Sequence, residues 1–184
     1  MKSKEINKII FSSFSLIMLL LLIGFIIKRQ ERFIYNLLAS YIGYILFIYF
    51  GNKRNIKVKN YIKILVLLTI IIHTLIGQYF NFYLTTYWFD NLLHVFGAFS
   101  FALFFYNILN NSVKVNNNLK TFIFITIFNL GVTFGVIFEI IEFILDIFYK
   151  STNQKSLYDT NLDLIFNFLG SALAGIYVLN KNRH

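Results

Sequence analysis

The sequence predicts an all-α fold: a polytopic membrane helical bundle with about six transmembrane helices, N-terminus and C-terminus both cytoplasmic. Three observations predict it. Six apolar runs, at about 9–27, 33–50, 62–80, 90–109, 121–148 and 162–179, have the length that ~18 or more spanning residues require. Apolar side chains make up 58% of the chain and charged ones only 14%, against roughly 45–50% and about 25% in soluble domains. Mean hydropathy is accordingly +0.67. Lysine and arginine lie almost entirely between the runs, which is how membrane topology is encoded.

The first run follows Lys2, Lys4 and Lys8. It is longer than the ~7–15-residue core of a cleaved signal peptide, and no small-x-small site follows before Lys28, so it reads as a retained signal anchor. The second run stands between the breaks Lys28 to Arg32 and Gly51 to Asn60. The third carries His73 and ends in an uncharged break, Asn81 to Phe89, whose Phe82, Tyr83, Tyr87, Trp88 and Phe89 suit an interfacial belt. The fourth opens on Asp90 and is followed by the break Asn110 to Lys120. The fifth bears Glu139, Glu142 and Asp146, and the break Lys150 to Asn161 leads into the sixth near Asp163. Residues 1–184 read as a single integral membrane domain. The absence of proline leaves no span kinked by a ring that cannot donate its N–H. The absence of cysteine excludes disulfides, thiolate metal sites and cysteine nucleophiles.

Positive charge orients the spans. One side holds Lys2, Lys4 and Lys8, then Lys53, Arg54, Lys57, Lys59 and Lys63, then Lys114 and Lys120, then Lys181 and Arg183, twelve cations in all. The other holds five: Lys28, Arg29, Arg32, Lys150 and Lys155. The richer side is cytoplasmic. The net charge of +9 is therefore a topology signal, and no nucleic-acid partner is expected.

Only eight residues are acidic. Glu5 and Glu31 read as solvated charges outside the spans. The other six, Asp90, Glu139, Glu142, Asp146, Asp159 and Asp163, all fall at the outer ends of the last three spans under this topology. His94 lies one turn inside Asp90, and His73 is placed to approach the same region from beneath. At about 100° per residue, Gly131, Gly135, Glu139, Glu142 and Asp146 share one helix stripe. Asp90, His94, Gly97 and Phe101 share a second, and Asp163, Asn167, Gly170 and Ala174 a third. Each is polar outside and small-residue deeper down, and small residues let membrane helices approach closely. Three helices packed below would open above into a carboxylate-lined pocket.

Glu139, Glu142 and Asp146 sit toward a helix C-terminus, where the macrodipole opposes anions, and Glu139 and Glu142 are like charges at i,i+3. A bound cation, protonation or a lysine partner would relieve this. Plainer roles stand beside the functional ones. Asp90 suits an N-cap, His94 a hydrogen-bonded core histidine, Asp146 a pair with Lys150, and Asp159 a solvated or capping loop acid. Intramembrane carboxylates such as Glu139 and Glu142 are functional by default. His73 lacks a sequence-local partner, and His184 is terminal and uninformative.

The order Asp90-x-x-x-His94-x-x-Gly97, Glu139-x-x-Glu142 and Tyr158-Asp159-Thr160-x-x-Asp163-x-x-x-Asn167-x-x-Gly170 resembles the YjdF-like family of bacterial inner-membrane proteins. It is more distantly similar to VanZ-like proteins, which usually carry Gln where this chain has Glu142. The resemblance covers about Trp88 to Gly175 and implies a multi-pass protein of the bacterial cytoplasmic membrane; it lends no reaction.

The chemistry expected of these residues is that of a membrane-embedded, metal-dependent enzyme acting on a lipid or lipid-linked headgroup at the outer leaflet. His94, Glu139, Glu142 and Asp163 are the expected ligands of a divalent ion, since oxygen donors hold hard cations and imidazole admits Mn, Zn or Fe. Asp90, Asp146, Asp159 and Asn167 are expected around them, Asp90 orienting the histidine. Glu139, Glu142 and Asp90 are the expected catalytic carboxylates. Two other classes fit the same residues: a structural or regulatory protein whose cluster binds a cation for stability, and a proton or cation transporter. The inner halves of the last three spans offer few ionisable groups for a transport path.

Overall fold

The computed structural model of the chain describes residues 2–113, 119–149 and 153–181. Lys114, Lys150, Arg183 and His184 of the sequence reading lie outside the described residues. The elements, in chain order, are α1 (Lys2–Ile27), α2 (Glu31–Lys53), α3 (Asn60–Ile71) running on as a π-helix (Ile72–Tyr79), a single turn α4 (Phe82–Thr85), α5 (Tyr87–Val113), α6 (Lys120–Tyr149) and α7 (Leu157–Lys181). Among the described residues, six stretches are long and apolar enough to cross a bilayer: Lys4–Ile27, Glu31–Lys53, Asn60–Tyr79, Tyr87–Val113, Lys120–Phe148 and Leu157–Lys181. Helices are the expected solution, because hydrocarbon offers no partner for an unpaired backbone amide.

Two boundaries differ from the sequence reading. The aromatic break before the fourth span is mostly helical, because Asn81 turns the chain in the left-handed region (φ 60°) and α4 and α5 follow almost at once. Asparagine tolerates that conformation better than most residues. The helix of the sixth span, α7, starts at Leu157 instead of about 162, which moves Asp159 from a loop into its first turn. The cause is a cap: Ser156 Oγ accepts the Asp159 N–H at 3.1 Å, satisfying one of the helix's orphan donors.

Contacts cluster into two compact units, Met1–Phe89 and Asp90–His184. The first is built around Phe14, Met18, Leu21, Phe25, Leu37 and Leu67, with Tyr41 and Tyr44 stacked or edge-on against Phe14. The Tyr41 hydroxyl donates to Ser15 Oγ at 2.9 Å. Lys28 Nζ donates to the carbonyl of Tyr79 at 3.0 Å and lies over its ring. In the π-helical stretch the Thr74 hydroxyl bonds the Ile70 carbonyl at 2.8 Å, competing for an acceptor of the α-helical ladder. His73, which the sequence directed toward the acidic cluster, belongs to this unit, where Nδ1 meets the Tyr83 hydroxyl and Nε2 lies 3.0 Å from Gln78 Nε2.

In the second unit α6 and α7 pack along their length. The small-residue stripes make this possible. A Cβ on Gly135 would come within 2.7 Å of Asn167 Cβ, one on Gly131 would overlap Ser171, and one on Gly170 would overlap the Val95 carbonyl of α5. Small side chains are what let backbones approach in a membrane, where burial from water supplies no driving force. Large apolar side chains such as Ile140, Phe143, Ile165 and Leu173 face outward, as expected where lipid is the solvent.

Candidate functional site

The site lies wholly in the second unit, at the end where α5 begins, α6 finishes and α7 begins. Asp90 is in the first turn of α5, and His94 follows one turn later. The α5 macrodipole favours an anion at Asp90, and that of α7 favours one at Asp159. His94 Nε2 stands 3.5 Å from Asp90 Oδ1 and 3.5 Å from Asp163 Oδ1. On the other side of the ring, Nδ1 donates to Asn167 Oδ1 at 3.2 Å and lies 3.8 Å from Glu139 Oε1. One imidazole therefore gathers residues from three helices.

The proton inventory of this ring is informative. With the Nδ1 proton given to Asn167, a neutral imidazole presents a lone pair at Nε2 to two carboxylate oxygens. Three electron-rich atoms facing one point repel, and either a cation or a second proton on the ring reconciles them. Burial raises the stakes. The side chains of Glu139 and Asp163 are only 5% exposed. Glu139 Oε1, Asp163 Oδ1 and Asn167 Nδ2 find no hydrogen-bond partner among the described residues. Buried polar atoms are normally paired, and each exception calls for an account.

The donor set fits a metal ion. Asp90, His94 and Asp163 each offer a ligand atom, and the three atoms lie within 4.8 Å of one another. Ligands about 2.0–2.2 Å from one ion stand roughly 3.0–3.5 Å apart, close to the two 3.5 Å separations at Nε2. A ligating histidine usually gives its other N–H to an oxygen acceptor, the role Asn167 fills here. Two carboxylates with one imidazole suit Mn, Zn or Fe.

The placement differs in part from the sequence reading. Asp90, expected to orient the histidine from outside, contributes an atom to the convergent group itself. Glu139 and Glu142, expected as ligands, are not in that group. Glu139 faces the opposite nitrogen of His94, and its Oε2 and carbonyl oxygen receive the Gln154 side-chain amide at 3.2 and 3.0 Å. Glu142, half-buried, acts on His94 and Glu139 through its charge. Its helix phase puts it in the same stripe as Glu139, and phase alone could not rank the two.

The pair expected between Asp146 and Lys150 lies outside the described residues. The Asp146 carboxylate accepts the backbone N–H of Asn153 at 2.9 Å and of Gln154 at 2.8 Å, which offsets the unfavourable field at the α6 C-terminus. Asp159 accepts the Lys155 N–H at 3.2 Å. Lys155 Nζ lies 3.5 Å from Asp90 Oδ2 and 3.8 Å from Asp159 Oδ1. Gln154 and Lys155 are the site residues the sequence reading missed. For Lys155 a signal existed, its i,i+4 spacing from Asp159. For Gln154 there was none.

An uncharacterized protein of Thermotoga maritima is 38% identical over 109 residues, which is 59% of this chain and 56% of that protein. The chain thus spans about half the length of the curated relative it matches. No solved structure matches it. A family model described as predicted membrane protein (DUF2238) matches residues 10–183, nearly the whole sequence that forms these helices and their acidic cluster, and the chain belongs to that family.

Proposed function

We propose that this membrane protein is a metal-dependent enzyme that acts on a lipid or lipid-linked headgroup, with a divalent ion held by Asp90, His94 and Asp163. The observation that carries the reading is the convergence of two carboxylate oxygens on His94 Nε2 while Nδ1 is engaged by Asn167. Three protein ligands leave coordination positions open, the usual pattern of catalytic rather than purely structural ions. A divalent ion held by these residues would supply Lewis-acid polarisation of a carbonyl or phosphoryl oxygen. The reaction supported by this arrangement would be hydrolysis or transfer: a water or hydroxyl oxygen forms the new bond, its proton passes to Glu139, and Glu139 returns that proton to the leaving oxygen as the old bond breaks. Glu139, buried beside His94 with one unpartnered oxygen, is the proposed base, and Glu142 a reserve carboxylate in the same stripe.

The charge distribution favours the outer face of a bacterial cytoplasmic membrane for this site, both termini being inside. The motif order from Asp90 to Gly170 supports the narrower YjdF-like kinship, with VanZ-like proteins more remote. The depth of Asp163 and Glu139 favours one second reading, a cation bound for stability alone.

Reconstitution tests the choice. Manganese-loaded protein in liposomes of mixed phospholipids is expected to release a water-soluble headgroup product detectable by mass spectrometry. Glu139→Gln is expected to keep the metal and lose release by at least ~100-fold. Full metal loading with no release from any lipid class, and a melting temperature that falls when the metal is chelated, would establish the structural reading instead.

A further inference from the structure

We propose that Lys155 is an anion-binding residue of this site and that the molecule taken there carries a phosphate group; this rests on the cation reading above. Exposure falls steadily inward, from Lys155 (44%) through Asp90 (16%) and His94 (13%) to Asp163 (5%). A ligand reaching the ion therefore passes the ammonium first. Asp90 links the two, with Oδ1 toward His94 and Oδ2 toward Lys155. The ion position and the ammonium are thus separated by about one carboxylate group. Two non-bridging oxygens of a phosphate can span the same gap, one on each charge, an arrangement that cation-and-lysine clamps commonly present to phosphoryl groups.

The backbone that carries Lys155 is held by side chains on both flanking helices. The backbone N–H groups of Asn153, Gln154 and Lys155 donate in turn to Asp146 Oδ1, Asp146 Oδ2 and Asp159 Oδ2. The Gln154 side chain adds two bonds to Glu139. A held backbone reduces the freedom that Lys155 loses when its ammonium meets an anion. Lys155 touches two carboxylates, which compete with any anion. When Asp90 shares its charge with a metal ion, that competition weakens. Phosphate binding is therefore expected to follow metal binding.

The full chain in detergent, loaded with manganese, is titrated with glycerol phosphate while the paramagnetic broadening of the ³¹P signal is read. A parallel arm uses phosphatidic acid in nanodiscs. Lys155→Ala is expected to keep its manganese and bind phosphate about tenfold more weakly, the loss of one charge-assisted contact. Lys155→Arg, which keeps the charge, is expected to stay within about threefold of wild type. Response in the nanodisc arm alone assigns the phosphate to a lipid headgroup; response in both assigns it to phosphomonoesters generally, and either supports the proposal. Metal-loaded Lys155→Ala that binds as tightly as wild type overturns the proposal while leaving the cation reading intact. A wild type that takes up no manganese overturns both.

Discussion

His94 Nε2, on α5, lies 3.5 Å from Asp163 Oδ1, on α7. No local element fixes that distance. It follows from how closely the two helices pack, and the packing in turn depends on Gly170, whose missing side chain admits the Val95 carbonyl. Site and packing are therefore one structure.

An added Cβ at Gly170 would overlap the Val95 carbonyl oxygen and come within 2.9 Å of its carbon, and backbone atoms cannot retreat as a flexible side chain can. Overpacking of this kind costs roughly 1–3 kcal/mol, against about 1 kcal/mol gained from replacing glycine in a helix. Gly170→Ala is expected to lower the melting temperature in detergent and to weaken metal binding with it. A Cβ added to Gly43, on α2, would meet nothing within 4 Å, so Gly43→Ala is expected to be neutral or slightly stabilising. Equal melting temperatures for the two variants would show that the close approach at Gly170 is dispensable.

The sidedness of the membrane is open to a direct chemical test, because the chain has no cysteine of its own. Tyr87 and Leu157 are 91% and 80% exposed and flank the site at the starts of α5 and α7. Tyr87→Cys and Leu157→Cys are expected to react with a membrane-impermeant maleimide added to intact cells. Asn52→Cys, beside the basic stretch after α2, is expected to react only after permeabilisation. Tyr87 and Leu157 reacting from opposite sides would break the site apart.

Much of the fold was legible because a spanning helix is mainly a matter of length and composition. A run such as 121–148 can hardly be anything else in a chain this apolar. Helical phase and positive charge led to the expectation that Asp90, His94 and Asp163 lie at one end of neighbouring spans; the three do come within 4.8 Å of one another, with Asp90 in the group itself and not only behind the histidine. Ranking within a face was not legible. Glu139 and Glu142 share a stripe, and only the packed helices show that Glu139 reaches His94. The start of α7 was written in Ser156-x-x-Asp159, a capping pattern hidden among polar residues that also suit a loop. The π-helical stretch after Ile71 and the bonds of Gln154 to Glu139 depend on tertiary neighbours and have no counterpart in periodicity.

Elemental analysis of the detergent-purified protein, with Asp163→Asn and Glu142→Gln beside the wild type, asks whether an ion resolves the crowding at His94 Nε2. The expected result is about one divalent metal per chain in the wild type, absent from Asp163→Asn and retained in Glu142→Gln. A wild type without metal above background, even after dialysis against manganese or zinc, would contradict the account and leave His94 as an imidazolium held between two aspartates.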